Sequence, residues 1–217
     1  MFWSSGSAMT ATIQAKALSL YELEQKFNLT LAAPDQSSLP WQQEPFLLSE
    51  TEIQALAHIT TNYNNQVRYP SLSEELVKMV VLSPLLDLVG FYGRNFRLVT
   101  EEPVEILLQE EDELIKGQID VLIVQEQLWI LAIESKRVQL DVMVALPQLL
   151  FYLLNSPSQQ PRPLGLMTNG REFVFAQMLK AEASSPQYTC SDAFSINRPQ
   201  EFQSVLSILK HLTTLLQ

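Results

Sequence analysis

Two carboxylates and an amine recur within one short stretch, GQIDVLIVQEQLWILAIESKR (117–137): Asp120, Glu134 and Lys136. Thirteen residues separate the acids, and the lysine follows the second acid by two. Hard oxygen donors beside one ammonium suit a divalent cation such as Mg²⁺. The runs QIDVLIV (118–124) and LWILAIES (128–135) are apolar and joined by the polar QEQ, which predicts a β-hairpin. Side chains alternate along a strand, so Ile119, Val121 and Ile123 are expected to face away from Asp120. Glu134 and Lys136 are expected on one face, Ile133 and Ser135 on the other. A hairpin centred on residue 126 or 127 pairs residue 120 with 133 or 134, so the three polar groups meet at one end. Burying two acids without a cation would cost several kcal/mol. Lys136 offsets part of that cost, and a bound Mg²⁺ would offset more.

The elements that must position these groups are legible to different degrees. Leu18, Leu20, Tyr21, Leu23 and Phe27 have helical spacing within 12–28, and proline-rich 28–45 suggests an irregular connector. Ser49 and Glu52 form a capping box before IQALAHITTNYN. Ser71 or Ser73 can cap EELVKMVVLSPLLDLVGF, with a kink at Pro84 and an end at Gly90 or Gly93. Residues 95–100 and 104–109 predict two short strands, followed by the acidic bend EEDELIKG. A helix is expected over 138–155, with Pro147 an awkward interior residue. Residues 162–168 and 171–179 flank Asn169-Gly170, a two-residue hairpin turn, and YTCSDAF suggests a further strand. An amphipathic helix closes the chain. The expected class is α/β (α+β), a mixed central sheet flanked by helices. Residues 1–45 are expected as a helical extension and connector, and 46–217 as the domain.

The stretch 117–137 resembles the PD-(D/E)XK nuclease superfamily, with Asp120 as the first acid and Glu134 and Lys136 as the second half of the motif. Ile119 stands where many members carry proline. QLLFY, with Gln148 and Tyr152, resembles the QxxxY element of RecB-like branches. Taken with SEELVKMVVLSPLLDLVGF and GLMTNGREFVF, the pattern over about residues 70–180 looks like the nuclease domain at the N-terminus of type I restriction R subunits. The resemblance implies a restriction-endonuclease-like fold and an acid on an early helix, Glu74 or Glu75, and helical phase with Val77 and Val81 slightly favours Glu74. It implies Mg²⁺ held by Asp120, Glu134 and the carbonyl of Ser135. Lys136 would orient the attacking water or stabilise the transition state, and Gln148 and Tyr152 would position the lysine, the water or the backbone phosphate. The motor domains that follow in those subunits have no counterpart within the 217 residues, which implies a stand-alone relative or one that tracks DNA through a partner.

The formal charge of −10 opposes unaided DNA binding, because phosphate contacts draw on lysine and arginine. One cysteine excludes an internal disulfide, and two histidines with no nearby cysteine argue against zinc. No apolar run is long enough to span a bilayer, and the first sixteen residues lack the pattern of a secretory signal, so a cytoplasmic location is expected. Two functions compete. One is a Mg²⁺-dependent DNA endonuclease or exonuclease serving restriction or repair, with a motor or specificity subunit or a second copy as partner. The other is a nuclease-fold module that binds nucleic acid or protein with little or no turnover. The acid–acid–lysine spacing alone also fits an ordinary strand-end acid beside an exposed Glu134–Lys136 pair.

Overall fold

The computed structural model describes residues 11–32, 39–69, 73–108, 113–157, 160–181 and 184–214. They form a mixed sheet with helices on both faces, an α+β arrangement. In chain order the elements are β1 (Ala11–Gln14), α1 (Leu20–Phe27), β2 (Thr30–Leu31), α2 (Glu50–Gln66), α3 (Glu74–Val77) and α4 (Ser83–Val89). There follow β3 (Arg97–Leu108), β4 (Glu113–Gln125), β5 (Leu128–Ser135), α5 (Leu146–Asn155), β6 (Leu164–Thr168), β7 (Glu172–Ala181), β8 (Ser184–Cys190), β9 (Phe194–Ser195) and α6 (Pro199–Thr214).

The sheet runs β1-β4-β5-β6-β7-β8-β2, with β3 along the other side of β4 and β9 beside β7. Strand β5 pairs parallel with β6, and α5 lies in the crossover between them. Two core halves pack on the two faces. Val77, Val81, Leu85, Ile133 and Phe202 belong to one half, carried by α2, α3, α4 and α6. Leu23, Ile115, Leu149, Phe151 and Tyr152 belong to the other, carried by α1 and α5.

Local signals are realised where they act through neighbouring residues. Ser49 and Glu52 form both bonds of the capping box of α2, and Ser19 with Glu22 does the same for α1. Ser73 caps α3, while Ser71 lies outside the described residues. Gly90 closes α4 with φ 95°.

Several expectations need correction. Residues 11–14 are a strand rather than the start of a helix, because Ala11–Gln14 pair with Glu113–Lys116 across a long sequence separation. Strand β2 lies in the stretch expected as an irregular connector and pairs with β8. The two short strands expected over 95–109 are one, β3, which pairs along β4 from Arg97 to Leu108 and carries Pro103 within it. The helix expected from 138 begins at Leu146 behind a short 3₁₀ turn (Val142–Ala145), so Pro147 falls in the first helical turn, where its missing N–H has no role. The β6–β7 turn is shifted by one residue from Asn169-Gly170. Asn169 Oδ1 accepts from the backbone N–H groups of Arg171 and Glu172, leaving Gly170, at φ 82°, and Arg171 as the central pair. Of the acidic bend, residues 110–112 lie outside the described residues, and Glu113 opens β4 and pairs with Lys26.

Candidate active site

The expected hairpin register holds: Val121 pairs with Ile133 and Ile123 with Leu131, across a two-residue turn at Glu126-Gln127. Extended by one residue, that register sets Asp120 opposite Glu134. Glu126 takes a left-handed φ of 54° to close the turn.

Alternation does not hold through Asp120. Ile119 packs in the half of the core with Ile115 and Tyr152, whereas Val121 and Ile123 pack in the half with Val77 and Val81. Asp120 reaches that second side too, where its Oδ1 accepts from Lys78 Nζ at 2.8 Å. Val121 and Ile123 therefore do not face away from Asp120. The reason lies across the ladder. Thr100 pairs with Val121 and Glu102 with Ile119, but the intervening Glu101 stands at φ 58° and is unpaired. A left-handed non-glycine residue breaks the pleat at that step and releases the strand opposite it.

Asp120 Oδ2 accepts from the backbone N–H of Ser135 at 2.7 Å and from its hydroxyl at 3.2 Å. These bonds tie the first acid to the strand that carries the second. Glu134 is 2% exposed. Its Oε1 accepts from Lys136 Nζ at 2.6 Å, and its Oε2 is buried with no hydrogen-bond partner. Burial, and then the charge of Asp120, raise the Glu134 carboxyl to about 8, against the opposing pull of Lys136.

Helix α5 supplies the support for Lys136. Gln148 Oε1 accepts from Lys136 Nζ at 3.1 Å, and Gln148 Nε2 donates to the Tyr152 hydroxyl. That hydroxyl donates to the carbonyl of Gln118 at 2.6 Å and accepts from its N–H at 3.3 Å. A four-residue spacing puts both side chains on one helix face, so the chain of bonds runs from Glu134 through Lys136, Gln148 and Tyr152 back to β4, two residues before Asp120. Gly117 makes the fit possible: a Cβ there would stand 2.7 Å from Tyr152 Cε1.

Of the two early acids, Glu74 Oε1 lies 4.0 Å from Lys136 Nζ. Glu75 is exposed; its own backbone and Ser73 lower its carboxyl first, with Lys78 and Arg137 adding to the effect. The structure thus brings together Glu74, Asp120, Glu134, Ser135, Lys136, Gln148 and Tyr152, with Glu75 at the rim.

Sequence reasoning missed Lys78 and Glu101. Lys78 lies four residues after Glu74 and is the lone cation of EELVKMVVLSPLLDLVGF, a signal that was available. It opens a π-turn (Lys78–Leu82) in which the N–H of Ser83 bonds the carbonyl of Lys78. Pro84 has no N–H to offer Val80, which accounts for the irregularity at that point in the helix. Nothing in the residue type marks Glu101.

The donor set fits a divalent cation in its oxygens. Carboxylate oxygens are the ligands a hard cation takes, and Glu134 Oε2 is a buried oxygen in want of a partner. Glu134 and the neighbouring Asp120 therefore fit such an ion by donor type. As the side chains stand, Lys78 engages Asp120 and Lys136 engages Glu134, and no group of three or more His, Cys, Asp or Glu is spaced to hold a metal among the described residues.

No protein-family model matches the chain, and no curated protein matches it. Among solved structures it is similar to one titled "Crystal structure of SSO0001", with 16% identity over 90% of this chain and 84% of that one. The TM-score is 0.26, too low to carry an argument about fold or function. Among the described residues no helix is long and apolar enough to cross a membrane.

Proposed function

We propose that this chain is a metal-dependent nuclease of the PD-(D/E)XK type that hydrolyses DNA phosphodiester bonds in restriction or repair, as the resemblance to type I restriction subunits implies. The observation that carries the proposal is Glu134: a buried carboxylate with one oxygen unpartnered, electrostatically coupled to Asp120 and Glu74. A protein that only needed a stable sheet would gain by placing an apolar residue there. Asp120, Glu134 and the Ser135 carbonyl would hold Mg²⁺ or Mn²⁺, with Glu74 close enough to assist. The ion, when bound, lowers the pKa of water and neutralises phosphate charge. Lys136, held by Glu134 and Gln148, presents its ammonium where charge develops on the phosphate. Tyr152 fixes Gln148, and through it the lysine. A motor or specificity subunit, or a second copy of the chain, would supply the DNA contacts that a net charge of −10 withholds.

Lys78 favours a second reading. Its ammonium occupies Asp120 Oδ1, so a cation of the chain itself neutralises half of the candidate ligand pair. A nuclease-fold binding module with little turnover would be served by that pairing.

The test is cleavage of plasmid and single-stranded DNA with Mg²⁺ or Mn²⁺, run beside calorimetric titration of each ion. Cleavage that needs the ion and is lost in Asp120→Asn and Lys136→Ala supports the enzyme. Ion binding without cleavage supports the binding module. Neither binding nor cleavage rejects the metal-centre reading.

A further inference from the structure

A recess of about 540 Å³ opens beside Asp120, within the span of roughly 300–1,000 Å³ typical of small-ligand pockets. Its walls include Met79, Leu82, Leu86, Tyr92 and Leu98. Met79 is 71% exposed and Tyr92 50% exposed, which leaves much apolar surface bare next to a cluster of charges. The Tyr92 hydroxyl shares a 2.8 Å hydrogen bond with Ser83 Oγ, which fixes the ring against the helix. The rim is acidic: Glu75, Glu101 and Asp120 line it, and the ammonium of Lys78 is already engaged by Asp120. With no ion bound that rim repels a phosphate, and it accepts N–H donors. The occupant it favours is flat, uncharged, apolar on its faces and rich in N–H groups at its edge.

A nucleobase has these properties, and the recess is continuous with the site, sharing Asp120 with it. Bases inside a duplex are stacked and paired and cannot enter such a recess, whereas an unstacked base can lie against an aromatic ring. We infer that the recess takes an unstacked nucleobase flanking the scissile phosphate, so that the preferred substrate is single-stranded polynucleotide or a frayed end rather than continuous duplex. The inference rests on the nuclease reading and names the substrate class of that same site. The strained backbone of Glu101 fits it, because the break it makes in the pleat sets Asp120 and Val121 together on the recess side of the sheet.

The test uses the full chain in Ca²⁺, with oligonucleotides carrying the fluorescent base 2-aminopurine, both single-stranded and annealed. The wild type is expected to bind single strands about tenfold or more tightly than duplex, with a change in 2-aminopurine emission. Thr100→Trp, at an exposed strand position on the recess, should obstruct it and weaken single-strand binding by about 5- to 100-fold, as should Tyr92→Ala. Thermal melts establish that each variant is folded, and Thr100→Trp carries the test if Tyr92→Ala is not. Equal affinity for single strand and duplex, or variants that keep the wild-type preference, overturns the inference. If Asp120-dependent cleavage in Mg²⁺ persists with no strand preference, the recess inference alone fails. If the protein neither binds nor cleaves any polynucleotide, the nuclease reading fails with it.

Discussion

Replacing Glu134 by glutamine asks whether the site is built against a free-energy cost that a cation removes. The substitution keeps the shape of the side chain and deletes its charge. In the metal-free protein, burial and the charges of Asp120 and Glu74 raise this carboxyl from 4.5 to about 8. The folded protein therefore keeps a proton that the unfolded chain has already released. Stability is fully present below the unfolded value and falls as the pH rises towards and through about 8. At ~1.4 kcal/mol per pH unit the shift amounts to at most about 5 kcal/mol, and a loss of roughly 2–5 kcal/mol is expected. The assay is urea unfolding in EDTA from about pH 5 to about pH 9, wild type against Glu134→Gln. The wild type should lose stability across that range by more than the variant does, because glutamine has no proton to release. Adding Mg²⁺ at the alkaline end should restore the wild type and leave the variant unchanged. Parallel pH curves for the two proteins, with no response to Mg²⁺, would refute the reasoning.

Other outcomes rest on the same contacts. Asp120→Asn should lower metal-dependent cleavage by at least about 100-fold while leaving the melting temperature within a few degrees, measured by initial rates and calorimetry. Lys78→Met should tighten Mn²⁺ binding in a calorimetric titration, since it frees Asp120 Oδ1; unchanged or weaker binding would show that Lys78 does not compete for the ion. Gly117→Ala should cost about 1–3 kcal/mol, because the new Cβ meets Tyr152 Cε1 at 2.7 Å, and should lower Tm by roughly 2–10 °C in a thermal melt. Tyr152→Phe strands Gln148 and the Gln118 carbonyl and should cost about 1–3 kcal/mol in urea unfolding, with a larger relative fall in kcat than in KM if Lys136 loses its position.

The parts of the fold that the sequence revealed are those governed by near neighbours. The β4–β5 hairpin arises from two apolar runs around QEQ, and the capping box of α2 from Ser49 and Glu52. Gln148 and Tyr152 are found through the resemblance to the QxxxY element, whose four-residue spacing puts both on one helix face. Pairing at long range escaped notice. Strand β1 exists because β4 offers it a partner just over a hundred residues away, and its own four residues are too few to declare a period. Strand β3 looked like two strands because Pro103 interrupts the pattern without interrupting the ladder. Glu101 was illegible for another reason: its left-handed backbone is imposed by its surroundings, and a glutamate carries no preference for it.

The π-turn at Lys78–Leu82 has a consequence for how the chain tolerates change in length. A turn of that kind holds one residue more than the regular helix around it. Deleting a single residue between Met79 and Leu82 would let the helix close into ordinary α geometry, and the fold could survive the loss. The segments on either side would keep nearly their present phase, because the wider turn already spends its extra residue within one revolution. Glu74 and Lys78 would still face Lys136 and Asp120, whereas the same deletion in a regular part of the helix would swing them about 100° away. The surplus residue thus makes this turn the place where the helix tolerates a loss of length with its two ionic contacts to the hairpin kept.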